Sequence, residues 1–362
     1  MDEQTVRIYE DDAATWLARR SDRARIDTSA FRAGVGAGAV RIDAGCGPGR
    51  YTGDLGAPVL ALDAAFAMVA LARDATTDAL GVQADLEALP VRLQGLGGAW
   101  AQCSYLHVPK ARLPAALAEL HHAAREGAPL VLGMKRGDFE GHALPGDDFP
   151  GRLFALWEPE PLVAVVEGAG FTIDGIEATD AWIQVRATRA RTLPDFVGPG
   201  LRLLVCGLNP SLRSADLGVG YAGRSNRFWA AAIDAGLATV ARDPWHLLRH
   251  HRIGMTDLVK RATVGAGELR TAEYRDGAAR VERLVRWLEP GAVCFVGLAG
   301  WRAAVDRAAQ PGVQPEAFGG APAYVMPSTS GLNARTPRAE LAAHLGAAFE
   351  LGSRANASRD AR

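Results

Sequence analysis

Two parts of the chain bring polar residues to positions where chemistry is done. At Gly207-Leu208-Asn209-Pro210-Ser211 an apolar run stops on an Asn-Pro pair. Such a pair can be a plain Asx-Pro turn, or a strand tip that aims a carboxamide into a pocket. A phosphate loop is excluded, because the Lys and Ser or Thr of G-x-x-x-x-G-K-[ST] are missing. Tyr221 follows in a Gly-rich stretch too open to be core. Far downstream, Met326-Pro327-Ser328-Thr329-Ser330-Gly331-Leu332-Asn333 ends another apolar run in small polar residues. Between them Gly254-Met255-Thr256-Asp257-Leu258-Val259 forms a third polar tip. Asp216 is the only carboxylate near Asn209 along the sequence, and it reads as a solvated loop residue.

The other part is Asp43-Ala44-Gly45-Cys46-Gly47-Pro48-Gly49. Glycines let the backbone turn tightly and approach a ligand with no Cβ in the way. The spacing is not the G-x-G-x-x-G of nicotinamide dinucleotide sites. A carboxylate ahead of the turn repels a phosphate and attracts an ammonium. Asp63 ends the next apolar run, VLALD, where a carboxylate can take ribose hydroxyls. Asp85, in VQADLEALP, is spaced to meet an adenine edge.

Strands must carry these tips. AVRIDAG, PVLALD, GAWAQCSYL and PLVLGMK are short apolar runs with turn signals at their ends, and LPAALAELHHAAREG is a helix ending near Gly127. LRLLVCG, GAVCFVG and APAYVMP repeat the pattern, with helices at NRFWAAAIDAGL and ARVERLVRWLEP. Phe228 and Trp229 open the apolar face of the first of these helices. The expectation is an α/β protein of two tandem three-layer α/β/α domains, each a parallel sheet with helices on both faces. Ligands then sit at the C-terminal strand ends. The domains are residues 1–190 and 201–352, with a Pro/Gly-rich linker at 191–200 and a small, polar, disordered tail at 353–362.

The 362 residues are 48% hydrophobic, which fits folded cores and excludes a disordered chain. No apolar run approaches a membrane span, and the acidic start MDEQTVRIYEDDAATW lacks a secretory signal. Cys46, Cys103, Cys206 and Cys294 lack metal-ligand or disulfide spacing, so a reducing cytoplasm is expected, with no metal. From Pro199 onward 21 Lys and Arg face 14 Asp and Glu, a formal +7, against −8 before it. A basic half is a weak pointer to nucleic acid.

The first half, over roughly residues 8–188, resembles the S-adenosylmethionine-dependent methyltransferases of the Rossmann-like class. The likeness rests on D-x-G-x-G-x-G, Asp63, ADLEALPV, AAREGAPLVLGMK and EGAGF. It implies that Asp43, Gly45, Gly47 and Gly49 border the methionine end of S-adenosyl-L-methionine. Asp63 takes the ribose, and Asp85 with Leu86 the adenine. The acceptor is unassigned. No Asn/Asp-Pro-Pro-aromatic tetrapeptide and no Pro-Cys nucleophile is present, which disfavours direct DNA methylation. His107 is a candidate base or a hydrogen-bonded loop residue.

The second half, over about Arg202 to Phe349, resembles the mismatch-specific uracil-DNA glycosylases, bacterial relatives of thymine-DNA glycosylase. GLNPS, GYAGRSNRFW, GMTDLVKRATVGAGEL and MPSTSGL stand in that family's order. The resemblance implies a uracil-DNA glycosylase fold that binds double-stranded DNA with G·U or G·T mismatches and excises uracil, extending to thymine or etheno-cytosine, without a cofactor. Asn209 positions the attacking water and Ser328 stands near the sugar or flanking phosphate. Tyr221 stacks on the flipped base, in a pocket with Gly207, Leu208 and Ser211. Gly331, Leu332 and Asn333 form the wedge. Arg335 stands one residue beyond the family's usual Arg place. Arg224, Arg227 and Lys260 are candidate phosphate contacts. Asn209 carries no charge at neutral pH and cannot take a proton, so a slow enzyme is expected. The reading is a cytoplasmic, nucleoid-associated fusion with an unknown methyl acceptor. Its alternative is a small-molecule or protein methyltransferase with a DNA-binding tether.

Overall fold

Short β-branched and apolar runs form the strands, and the helices cover them on both sides. The computed structural model describes residues 1–20 and 25–360. The chain divides into Met1–Ala190 and Arg191–Arg362.

In the first unit, α1 (Glu3–Asp11), α2 (Ala13–Arg20) and α3 (Ser29–Gly34) precede β1 (Arg41–Ala44). Then come β2 (Val59–Asp63), α4 (Phe66–Ala75), β3 (Leu80–Gln83), β4 (Gly98–Gln102), α5 (Leu113–Ala123) and β5 (Pro129–Lys135). Two short strands, β6 (Glu140–Gly141) and β7 (Phe154–Ala155), pair with each other. α6 (Pro159–Gly168), β8 (Phe171–Ala178) and β9 (Trp182–Arg189) complete the unit. The sheet order is β3-β2-β1-β4-β5-β9-β8. Its first five strands are parallel, but β9 runs antiparallel to both β5 and β8. The expected all-parallel sheet is corrected at this edge. Residues 179–181 alone join β8 to β9, far fewer than a parallel crossover needs. Alternate residues face two cores. Ile42, Ala99 and Leu132 pack with α5 and α6, while Ala61, Trp100 and Val131 pack with α3 and α4.

The second unit holds β10 (Leu203–Gly207), α7 (Leu212–Leu217), α8 (Phe228–Asp234), α9 (Pro244–His251) and β11 (Ile253–Asp257). These are followed by α10 (Thr271–Leu288), β12 (Val293–Val296), α11 (Leu298–Ala304), β13 (Gly312–Val313), β14 (Ala323–Met326) and α12 (Arg338–Asp360). The order is β11-β10-β12-β14-β13, parallel except for β13. Leu203 and Val205 face α8 and α12, whereas Leu204 and Cys206 face α10 and α11. Each unit is therefore three-layered. No helix among the described residues is long and apolar enough to cross a membrane.

Two boundary expectations are corrected. Residues 191–200 are not a loose linker: Leu193, Phe196 and Val197 are buried in the second unit, and Phe196 exchanges backbone hydrogen bonds with Met255. Residues 353–360 are not disordered but continue α12. Their polar side chains have partners that composition does not reveal. Arg202 donates to Ser353 Oγ at 2.8 Å, Asn356 donates to the Leu201 carbonyl at 3.3 Å, and Arg359 to the Glu289 carbonyl at 2.6 Å. Residues 361–362 lie outside the described residues.

Candidate functional site

In the second unit the tips of β10 and β11 lie side by side, because Gly207 is in register with Asp257. Gly207 leaves room for the two side chains that face it. A Cβ there would run into Asp257 Oδ1 and lie 3.0 Å from the Tyr221 hydroxyl. Just past this tip, the Asn209 carboxamide is held by three acceptors. Its Nδ2 donates to Thr263 Oγ1 at 2.8 Å, to the Arg261 carbonyl at 3.0 Å and to the Pro210 carbonyl at 3.2 Å. Carbonyls only accept, so the amide orientation follows from the bonding, and Oδ1 is the atom left for a water.

Asp257 is the residue the linear reading passed over. It is half-buried, and its carboxylate has no hydrogen-bond or ion-pair partner among the described residues. Burial raises it to about 6, with Lys260 and Arg280 offsetting part of the effect. Asp216 does not take this place: Arg191 clamps it with two bonds of 2.6 and 2.7 Å at the surface. The statement that no other carboxylate stands near Asn209 is thus corrected. Asp257 is 48 positions away along the chain, but one strand away in the sheet.

Tyr221 adopts a left-handed backbone (φ 57°) and stacks on Phe228, ring centroids 4.1 Å apart and planes 14° apart. Phe228 is 1% exposed and closes the core behind it. Burial raises the Tyr221 hydroxyl well above its ordinary value, and the nearby Asp257 adds to this.

Ser328 follows β14, two strands from β10, so strand spacing alone puts the two tips about 10 Å apart across the crevice. Its hydroxyl accepts from the Ser330 N–H at 3.2 Å. The wedge loop is built rather than loose. Arg227 donates to the carbonyls of Ser330, Asn333 and Thr336, and Asn333 Nδ2 donates to the Ser328 carbonyl at 2.8 Å. Gly331 packs so close to Ser225 that a Cβ would clash. On this support Leu332 is 97% exposed. Arg224 and Arg335 are exposed and have no ion-pair partner among the described residues.

Several expected contacts are taken up elsewhere. Ser211 caps α7, accepting from the Ser214 N–H at 3.1 Å. The Leu208 side chain packs toward Gly300 in the α10–α11 core. Asn333 and Arg227 brace the loop from within. Lys260, 18% exposed, pairs with buried Asp195 at 2.9 Å instead of facing a phosphate. Arg280 pairs with the same carboxylate at 2.7 Å and donates to the Asp257 carbonyl at 2.6 Å. Burial pushes Asp195 up, but Arg280 and Lys260 outweigh it and hold it below the usual carboxylate range.

In the first unit a cavity of about 740 Å³ opens at the C-terminal strand edge. Asp43, Gly45, Gly47, Asp63 and Leu86 line one end. The Asp63 carboxylate accepts from the N–H groups of Gly47 at 2.9 Å and Ala65 at 3.0 Å, which ties the glycine turn to β2. Gly47 (φ 52°) has open space where a Cβ would be, the cradle a ligand needs. Burial raises Asp43 to about 7, opposed by the Thr52 hydroxyl at 2.7 Å and reinforced by Asp63. Two carboxylates in one buried corner favour a cationic ligand. Gly49 is corrected: it faces α4, where a Cβ would lie 2.7 Å from Ala72 Cα. Asp85 is also corrected. Its carboxylate is paired with the Met1 amine, and Leu86 alone of the two lines this cavity. His107 has both ring nitrogens engaged, Nδ1 with the Leu153 carbonyl at 2.6 Å and Nε2 with the Tyr9 hydroxyl at 2.8 Å. Burial lowers it to about 4, so it does not act as the base considered for it. Among the described residues no cluster of His, Cys, Asp and Glu could hold a metal.

Residues 194–350 match the family model of the uracil DNA glycosylase superfamily, and residues 42–132 match that of a methyltransferase domain. Among solved structures, a SAM-dependent methyltransferase from Methanosarcina mazei is 15% identical, covering 45% of this chain and 97% of that one (TM-score 0.40). A TehB-like SAM-dependent methyltransferase from Corynebacterium glutamicum is 20% identical over 50% of this chain and 97% of that one (TM-score 0.39). One from Mesorhizobium loti is 23% identical over 44% and 96% (TM-score 0.36).

Proposed function

We propose that the chain, whose residues 42–132 match a methyltransferase-domain model and residues 194–350 that of the uracil DNA glycosylase superfamily, excises uracil from G mismatches in duplex DNA through its C-terminal unit. The observation that carries this reading is Leu332, an apolar side chain held almost fully in solvent on a braced loop across the crevice from Asn209 and Asp257. An apolar wedge suits the gap left when a base leaves the stack. The flipped base stacks on the Tyr221 face away from Phe228. Asn209 Oδ1 holds a water whose oxygen attacks C1′. The water's proton passes to Asp257, the N-glycosidic bond breaks, and uracil departs as its anion. Arg224 and Arg335 serve the phosphates. Thymine and etheno-cytosine are further substrates to be ranked in the same assay.

The test is uracil release from G·U duplex by the full chain. Asn209→Ala is expected to lower the single-turnover rate by about 100-fold, the loss that follows when a reacting water is no longer oriented. Equal release by wild type and variant would remove the role given to Asn209. A tether that binds DNA without turnover has no use for a half-buried carboxylate on the strand next to the tip that carries Asn209, which favours the enzyme.

For the N-terminal unit the proposed cofactor is S-adenosyl-L-methionine, which supplies a methyl group on a sulfonium. Asp43, Asp63, Gly45, Gly47 and Leu86 would hold it. Asp63→Ala frees the Gly47 and Ala65 N–H groups and is expected to weaken S-adenosylhomocysteine binding more than tenfold by calorimetry. A wild-type chain that binds none of it refutes the cofactor assignment.

A further inference from the structure

The cavity of the N-terminal unit extends well beyond the glycine turn to Lys135, and Arg50, Asp148 and the paired Asp147 and Arg152 line it as well. Asp43 and Asp63 stand at the tips of β1 and β2. Lys135 closes β5, two strands from β1 and therefore about 10 Å away by strand spacing. The Lys135 ammonium lies 5.7 Å from the ring centres of both Phe154 and Trp182, and it has no ion-pair or hydrogen-bond partner among the described residues. Arg152, the neighbouring cation, is already neutralised by buried Asp147 and bonded to the Tyr9 hydroxyl at 2.7 Å. Tyr9, Trp16, Phe154 and Trp182 supply aromatic walls around this end.

We propose that this end of the cavity takes a planar aromatic acid as methyl acceptor, with Lys135 as the cation that neutralises its anionic group. The inference rests on reading the cavity as a methyltransferase site. A cavity of this size belongs to small-molecule sites, not to grooves for polymers. Aromatic walls bind a flat ring by stacking and burial. Lys135, a lining cation with no ion-pair partner among the described residues, attracts an anionic acceptor, while Asp43 and Asp63 attract a cationic cofactor. The one imidazole on the wall, His107, is spent on Tyr9 and Leu153. The carboxylate oxygen of such an acid would take the methyl, an O–CH3 bond forming as the S–CH3 bond of the sulfonium breaks and S-adenosylhomocysteine leaves, with no proton to remove and so no base needed.

The test is titration calorimetry of the full chain saturated with S-adenosylhomocysteine, using 1-naphthoate and its neutral amide as probes. The acid is expected to bind at least tenfold tighter than the amide. K135M should erase that difference and K135R should keep it. Equal affinity for acid and amide, no binding of the acid, or a K135M chain that still prefers the acid overturns the proposal. S-adenosylhomocysteine affinity is read in parallel. Its retention in K135M shows an intact fold, and its absence in the wild type sinks the methyltransferase reading itself. Retained cofactor-product binding with no acid preference sinks only the acceptor class.

Discussion

Replacing Asp257 with Asn is expected to lower uracil release about 100- to 1,000-fold, the span of a lost general base, while making the chain more stable. Both effects have one cause. Burial without a partner holds the Asp257 carboxyl at about 6, above the roughly 3.9 of a free Asp. The folded state therefore binds this proton more tightly than the unfolded state. The stability that comes from it is fully present below about pH 4 and is lost as pH rises through about 6. Asn never ionises, so above pH 6 it avoids that cost, which we put at about 1–2 kcal/mol after allowing for partial exposure. Catalysis has the opposite dependence, since a base works only when deprotonated. Wild-type single-turnover rate should rise with pH up to about 6 and then level, and D257N should show no such limb. Rates against pH, with thermal unfolding at pH 7.5, check both. A D257N chain of wild-type rate removes Asp257 from the mechanism.

Leu332→Ala should cut release from G·U duplex by at least tenfold and leave release from single-stranded uracil DNA unchanged. Unstacking a base step costs a few kcal/mol, and the wedge offsets part of that only where a stack exists. Each 1.4 kcal/mol forfeited is a factor of ten. At 97% exposure Leu332 contributes nothing to the core, so thermal stability should stay within about 0.5 kcal/mol, as for surface substitutions. This separates a wedge from a packing residue. Equal losses on duplex and single strand, or a fall in melting temperature, would contradict it.

The Asp257 assignment revises the rate expectation. An Asn at the β10 tip, taken by itself, points to slow chemistry because a carboxamide takes no proton. With a carboxylate on the adjacent strand, the proposed mechanism divides water orientation and proton acceptance between two residues. The Asp195–Lys260–Arg280 group stands behind this tip, with Arg280 bonded to the Asp257 carbonyl. Lys260 and Arg280 make their ion pairs with Asp195, and from there they offset only part of the burial that raises the Asp257 carboxyl.

Much was legible in the sequence because it is local. Apolar runs of four to seven residues ending in Gly, Asn or Pro must be strands with polar tips, and alternation with helices demands sheets covered on both faces. Asn209 and Leu332 stand out because a carboxamide and a Leu in such loops have no core to serve, whereas Tyr221, expected to be too open for core, packs on buried Phe228 at the core's edge. The glycine turn after β1 is equally local. Tertiary structure decided what depends on neighbours across the sheet. Register put Asp257 beside Gly207, although they are 50 positions apart along the chain. Partner geometry turned Lys260 from a phosphate contact into a buried ion pair, Asn333 from a DNA contact into a brace, and Asp85 from an adenine ligand into a partner of the Met1 amine. A side chain's type sets what bonds it can form, but which of them it forms depends on what lies within about 3 Å, and that distance is a property of the folded chain alone.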